Sequence, residues 1–185
     1  MIRTLLMIFF VLLICFGAFY AGIIDIKTNT IEESSWQPKK APSVVFERLD
    51  GSSLSLEAFH GKIILLNFWA TWCPPCIEEF PALLEAVRHF NGEVVLIAVS
   101  NDASKKDISS FLKHFESYRD VLQSSSVEMV WDSHAQVSND VFHVFKLPET
   151  FLIDKDFFLA KKFVGKVIWG EEFQKTLQSF LSEYN

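Results

Sequence analysis

Gly61-Lys62-Ile63-Ile64-Leu65-Leu66-Asn67-Phe68-Trp69-Ala70-Thr71-Trp72-Cys73-Pro74-Pro75-Cys76 decides how this chain folds. From Ile63 to Trp69 only Asn67 interrupts the apolar run. A run of that length suits a strand buried on both faces, hence a parallel or mixed sheet covered by helices. Beyond Cys76 the apolar residues are Ile77, Phe80, Leu83, Leu84, Val87 and Phe90. That spacing lays one stripe of a helix against the sheet. Pro81 lies inside the pattern and predicts a kink, because proline removes one helical hydrogen bond. Asn91-Gly92 supplies a residue able to take positive φ and end the helix. Cys73 and Cys76 therefore stand where a strand passes into a helix. The unpaired N–H groups and the positive dipole end of the first turn favour a thiolate there.

The rest of the chain builds outward from this unit. Val44-Val45-Phe46 reads as a short strand, Asp50-Gly51 as a turn, and Leu54-Ser55-Leu56 as a return strand. Val94 to Val99 is a second buried strand, reached by a right-handed crossover. The pattern predicts a helix over 104–120, a strand over Val127–Trp131 and a weak helix over 134–145. Phe151-Leu152-Ile153 and Leu159 to Val164 read as two strands joined at Asp154-Lys155-Asp156. A last amphipathic helix follows Gly170 and carries Phe173, Leu177, Phe180, Leu181 and Tyr184.

The N-terminus has a different character. From Leu5 to Ile24 no charged residue occurs, and ~20 apolar residues suffice to span a bilayer as a helix. Arg3 precedes the run and Asp25, Glu32 and Glu33 follow it, which sets the N-terminus inside and the domain outside. The rival reading is a cleaved signal peptide. Tyr20 and Ile14 stand where small residues would be needed for cleavage or lipid attachment, which favours an uncleaved anchor. The expected organisation is an anchor over 1–24, a tether over 25–42 and a globular domain over 43–185.

Composition excludes several classes. The chain has 185 residues, half of them hydrophobic and 19 of them Phe, enough to build a core without disulfide staples. A net charge of −6 argues against nucleic acid, which demands clustered Lys and Arg. Of three cysteines one, Cys15, lies in the apolar leader. Cys73 and Cys76 then have three readings. A zinc site needs about four ligands, and neither a second Cys pair nor paired His spacing near the motif supplies them. A structural disulfide over so short a loop removes little unfolded-state entropy. A reversible dithiol pair remains the strongest.

These segments resemble the thioredoxin fold, and in detail the membrane-tethered TlpA/ResA-type thiol–disulfide oxidoreductases, close to the CcmG (DsbE) branch. The Gly61–Cys76 block, Glu79-Phe80-Pro81 and Leu147-Pro148-Glu149-Thr150-Phe151-Leu152-Ile153-Asp154 carry the likeness. It implies a three-layer α/β fold with a mixed central sheet, an N-terminal strand extension and a β–α insertion. It also implies a cis Pro148 beside the thiols, with the Leu147 backbone free for β-type pairing with a client. Asn67 stands where general thioredoxins carry a buried Asp. It reads as a satisfied buried polar group.

The expected roles follow. Cys73, partly exposed, attacks a disulfide, and Cys76 resolves the intermediate. Glu79 lies one turn after Cys76, since i and i+3 share a helix face. It is read either as acceptor of the Cys76 proton or as a solvated face residue like Glu78, and the resemblance favours the first. Trp72, Leu147, Pro148 and Glu149 are the expected client-contact residues, with Glu149 equally readable as surface charge. Pro74 and Pro75 lack N–H groups and deprive the Cys73 thiolate of two donors. That disfavours the dithiol form and predicts a reductant. The resemblance implies protein disulfide clients such as apocytochrome c, an electron donor of the DsbD/CcdA kind in the membrane, and no cofactor. The other readings are a general envelope disulfide reductase and a non-catalytic binding or chaperone module. Ala70, where peroxiredoxins carry Thr or Ser, argues against a peroxidase.

Overall fold

The computed structural model describes residues 38–90 and 92–183. The anchor of 1–24, most of the tether, Asn91 and Tyr184 lie outside the described residues. Among the described residues no helix is long and apolar enough to cross a membrane.

The elements are β1 (Lys39–Lys40), β2 (Val45–Arg48), β3 (Ser53–Ser55), β4 (Ile63–Trp69), α1 (Pro74–His89), β5 (Val94–Ser100), α2 (Lys105–Leu112), α3 (Arg119–Leu122), β6 (Val127–Trp131), β7 (Glu149–Ile153), β8 (Phe158–Val164) and α4 (Glu171–Ser182). The strands form one mixed sheet in the order β1-β8-β7-β4-β5-β6-β2-β3. The parallel ladder β4–β5–β6 sits at its centre, and β7 joins β4 antiparallel. The register sets Asn67 opposite Thr150 and Phe68 opposite Glu149. This brings the start of β7 to the end of β4 where the cysteines follow.

Every residue of β4 and β5 is buried, as the unbroken apolar runs require. Alternate side chains go to opposite faces. Ile63, Leu65 and Trp69 join Phe80, Leu83, Leu84 and Val87 of α1 and Phe173, Leu177 and Leu181 of α4 in the main core cluster. Phe68 faces the other way and meets Phe142 at 5.2 Å and Phe151 at 6.0 Å between ring centroids.

Three expectations are corrected in detail. Lys39–Lys40, read as tether, already pairs with Phe158 and Leu159 of β8. The helix over 104–120 starts as read, with Ser104 Oγ accepting from Lys106 N–H at 3.1 Å. It breaks into α2, a 3-10 turn over Lys113–Tyr118 and α3, because Phe115 leaves helical geometry. That turn lets the Phe115 ring meet Phe80 at 5.1 Å and Phe111 at 4.9 Å. The helix over 134–145 shrinks to a single wide turn, Val137–Val141. Left-handed backbone at Ala135 (φ 50°) and His143 (φ 53°) bounds it on both sides. As read from the sequence, one helix, α1, runs from Pro74 to His89 with Pro81 inside it.

Candidate active site

Cys73 is the N-cap of α1, and Pro74 and Pro75 fill its first two positions. Proline suits these positions, since the N–H it lacks would have no helical acceptor. Cys73 and Cys76 are joined by a disulfide, with their Cα atoms 5.3 Å apart. Cys73 is 4% exposed and Cys76 2%. Cys73 is thus less open than expected. In the disulfide each sulfur covers the other, and both belong to the main apolar cluster. Trp72 stands outside at 65% exposure.

The loop that presents the cysteines is pinned by Asp102, a buried carboxylate just after β5. It accepts from Thr71 N–H at 3.0 Å, Thr71 Oγ1 at 2.6 Å and Ser100 Oγ at 2.7 Å. Nothing in the sequence marks Asp102. Ser100 is a chain neighbour, but Thr71 lies 31 residues away and meets Asp102 because β4 and β5 run parallel in register.

Glu79 is buried on the inner face of α1. Its Oε2 accepts from Val167 N–H at 2.9 Å. Its Oε1 accepts from Asn67 Nδ2 at 3.4 Å, and the same Nδ2 donates to Thr150 Oγ1 at 2.9 Å. Burial raises the Glu79 carboxyl above its ordinary range, against the Val167 amide, which favours the charged form. The Trp169 indole also favours the charge, though its N–H falls short of hydrogen-bond geometry. Lys166 does so more weakly, being engaged with Glu78 at 2.6 Å. Glu79 is therefore no solvated face residue, whereas Glu78 is exposed and ion-paired.

The Leu147–Pro148 peptide bond is cis. Pro148 O accepts from Gly165 N–H at 2.8 Å, so the 165–168 loop touches both the cis bond and Glu79. Leu147 is half-buried at the edge of a groove that Trp72 also lines. Glu149 departs from the surface-charge reading: it is 5% exposed. Its Oε2 lies 2.7 Å from Lys162 Nζ, an ion pair without hydrogen-bond alignment.

A cysteine pair at a helix start with a buried carboxylate one turn behind it and a cis proline in front can carry out thiol–disulfide exchange. Comparison with known proteins agrees. The AhpC/TSA family matches residues 38–162. The thiol–disulfide oxidoreductase ResA of Bacillus subtilis (strain 168) is 33% identical over 135 residues, covering 72% of this chain and 70% of that one. ResA of Bacillus thuringiensis subsp. konkukian (strain 97-27) is 32% identical over 158 residues, covering 83% and 82%. The chain belongs to the AhpC/TSA family, among the ResA-type thiol–disulfide oxidoreductases. The thioredoxin domain of a thiol–disulfide oxidoreductase from Bacteroides vulgatus superposes on it with a TM-score of 0.61, covering 79% of this chain and 99% of that one at 24% identity. That likeness bears on the fold. This ResA-type protein is a thiol–disulfide oxidoreductase with a thioredoxin-like α/β fold.

Proposed function

We propose that this protein reduces disulfides on the outer side of the cytoplasmic membrane, held there by its N-terminal segment. The observation that carries the direction of the chemistry is the Cys73 N-cap followed by two prolines. A thiolate at an N-cap draws on the N–H groups of the first turn. Here the first such amide belongs to Cys76. With fewer donors the dithiol is less favoured, so the pair gives up electrons readily.

Cys73 thiolate attacks one sulfur of a client disulfide. The client S–S bond breaks, and its second sulfur leaves as a thiolate. Cys76 gives its proton to Glu79 and attacks Cys73 Sγ. The mixed disulfide breaks, the client takes two electrons in all, and the protein is left oxidised. A membrane thiol donor of the DsbD/CcdA kind returns the two electrons by the same exchange in reverse. Glu79 suits proton transfer because burial brings its carboxyl towards the pH of the reaction. Trp72 and Leu147, with the buried Pro148 and Glu149 behind them, form the edge that meets the client, for which apocytochrome c is the proposed substrate.

Equilibration with dithiothreitol at pH 7 tests the direction. The expected potential lies well below the roughly −120 mV of a strong oxidase, towards the −270 mV or so of thioredoxin. A value near −120 mV refutes the reading. For the location, the charge-free run Leu5–Ile24 behind Arg3 is the support. Alkaline phosphatase fused after residue 38 is expected to be active, and an inactive fusion contradicts it.

A further inference from the structure

The strap from Gly165 to Trp169 joins β8 to α4 and touches the site twice on the way. Gly165 turns the chain out of β8 with φ 82°, and its N–H donates to Pro148 O at 2.8 Å. Val167 N–H donates to Glu79 Oε2 at 2.9 Å. Exposure alternates along the strap, as extended backbone dictates. Lys166 and Ile168 face solvent, and Trp169 turns inward to 3% exposure.

The Trp169 ring is packed on its flanks. Phe173 meets it edge-on at 4.4 Å and Phe163 at 6.0 Å between centroids. It shares the main core cluster with Cys73 and Cys76. Packing accounts for the ring and not for the indole N–H, which is buried without a hydrogen-bond partner among the described residues. A buried indole N–H usually finds an acceptor, because it has given up its bond to water. The flanking phenylalanines offer no acceptor oxygen. The group that the indole faces is the Glu79 carboxylate, whose charged form it favours. A hydrogen bond to an ionised acceptor is roughly twice as strong as one to a neutral group. A small approach of the indole is therefore favoured while Glu79 is charged and much less so once it is protonated.

The other groups around Glu79 are already engaged. Asn67 of β4 donates to Glu79 Oε1 and to Thr150 of β7. Lys166 of the strap is drawn to Glu78 at 2.6 Å. Glu149, next to Thr150 on β7, goes to the opposite face with Phe68 and holds Lys162. Cys76, on the same helix as Glu79, is the group that exchanges the proton.

We propose that the Trp169 indole N–H is a positioning donor for Glu79, closing on the carboxylate while it is charged and releasing it once it has taken the Cys76 proton. The inference rests on the proton-acceptor role given to Glu79 above and adds the group that holds it ready. In that step the proton passes from Cys76 Sγ to a Glu79 oxygen. The S–H electron pair stays on sulfur as thiolate, and no further reagent takes part. Without the indole donor the charged form loses a hydrogen bond, so Glu79 takes its proton at higher pH.

Nuclear magnetic resonance of the oxidised full chain tests the contact, since Cys76 carries no proton there. The Trp169 indole N–H signal is expected to move with pH at the midpoint of the Glu79 carboxyl signal, and to stand still in Glu79→Gln. An indole signal that is flat through that midpoint in the wild type, or that still titrates in Glu79→Gln, overturns the proposal. Trp169→Phe keeps an aromatic ring and removes the donor, whereas Phe173→Leu loosens the same packing and leaves the donor. The Glu79 midpoint, and with it the acid limb of mixed-disulfide resolution by Cys76, is expected to rise by about one pH unit in Trp169→Phe and to stay in place in Phe173→Leu. A midpoint that stays in place in both variants, or rises equally in both, overturns the proposal. Resolution as fast in Glu79→Gln as in the wild type refutes the proton role of Glu79 itself, and the proposal with it, whatever the indole signal does.

Discussion

Glu79→Gln separates the chemistry of the site from its architecture. The replacement has the same shape. Its amide oxygen can accept from Val167 N–H as Oε2 does now at 2.9 Å. Its NH₂ then faces Asn67 Nδ2, 3.4 Å away in the wild type. A flip of the Asn67 amide relieves this donor–donor contact, because Thr150 Oγ1 can donate as well as accept. The hydrogen bonds survive and the buried charge goes. Burial raises the Glu79 carboxyl, so folding favours its protonated form. That contribution is whole below the unfolded carboxyl range and is lost as pH rises through the raised folded value. The variant's stability advantage should therefore grow above about pH 4.3, the unfolded value, and level off above the folded one. Each pH unit of growth corresponds to about 1.4 kcal/mol, and each kcal/mol to roughly 2–4 °C in Tm for a chain of this size. Kinetically, loss of the proton acceptor should slow decay of the Cys73 mixed disulfide by about 10²–10⁴-fold. Calorimetry from pH 4 to 8 and stopped-flow resolution read the two effects. Unchanged resolution together with a pH-independent Tm difference would refute the role of Glu79.

Two other perturbations follow from buried carboxylates. Lys162→Met leaves Glu149, 5% exposed, without its ion partner, whereas Glu149→Gln removes the charge itself. With Lys162 about one-fifth exposed, the first should cost about 2–3 kcal/mol and the second less. A urea double-mutant cycle reads the coupling, and equal losses would contradict it. Asp102→Asn removes one of two acceptor oxygens serving Thr71 and Ser100, at a cost of ~1–3 kcal/mol. Faster amide exchange at Thr71 is the expected signature, and unaltered exchange would show that the loop holds without it.

Continuous apolar runs made β4 and β5 legible, since strands buried on both faces leave no polar interruption to misread. Asn67 alone broke the pattern, and the structure gives it two partners. Cys73, Cys76 and Glu79 could be placed because their relation is local, within the first two turns of one helix. Long-range contacts hid the rest. Glu149 was readable as client contact or surface charge, and its burial was hidden because its partner lies on the neighbouring strand. Val167 and Asp102 carried no motif, because one acts through its backbone and the other through loop partners. The 134–145 segment showed helical spacing, but the Asp132 carboxylate captured the Val137 and Ser138 amides and left only one wide turn.

The most direct test is to trap the exchange. In a Cys15→Ser background, reduced Cys76→Ser protein is mixed with insulin, and the product is resolved without reductant and mapped by mass spectrometry. The account predicts an insulin adduct on Cys73, rapid turnover when Cys76 is restored, and no adduct or turnover in Cys73→Ser. Insulin reduction by Cys73→Ser at the rate of the intact pair would contradict it.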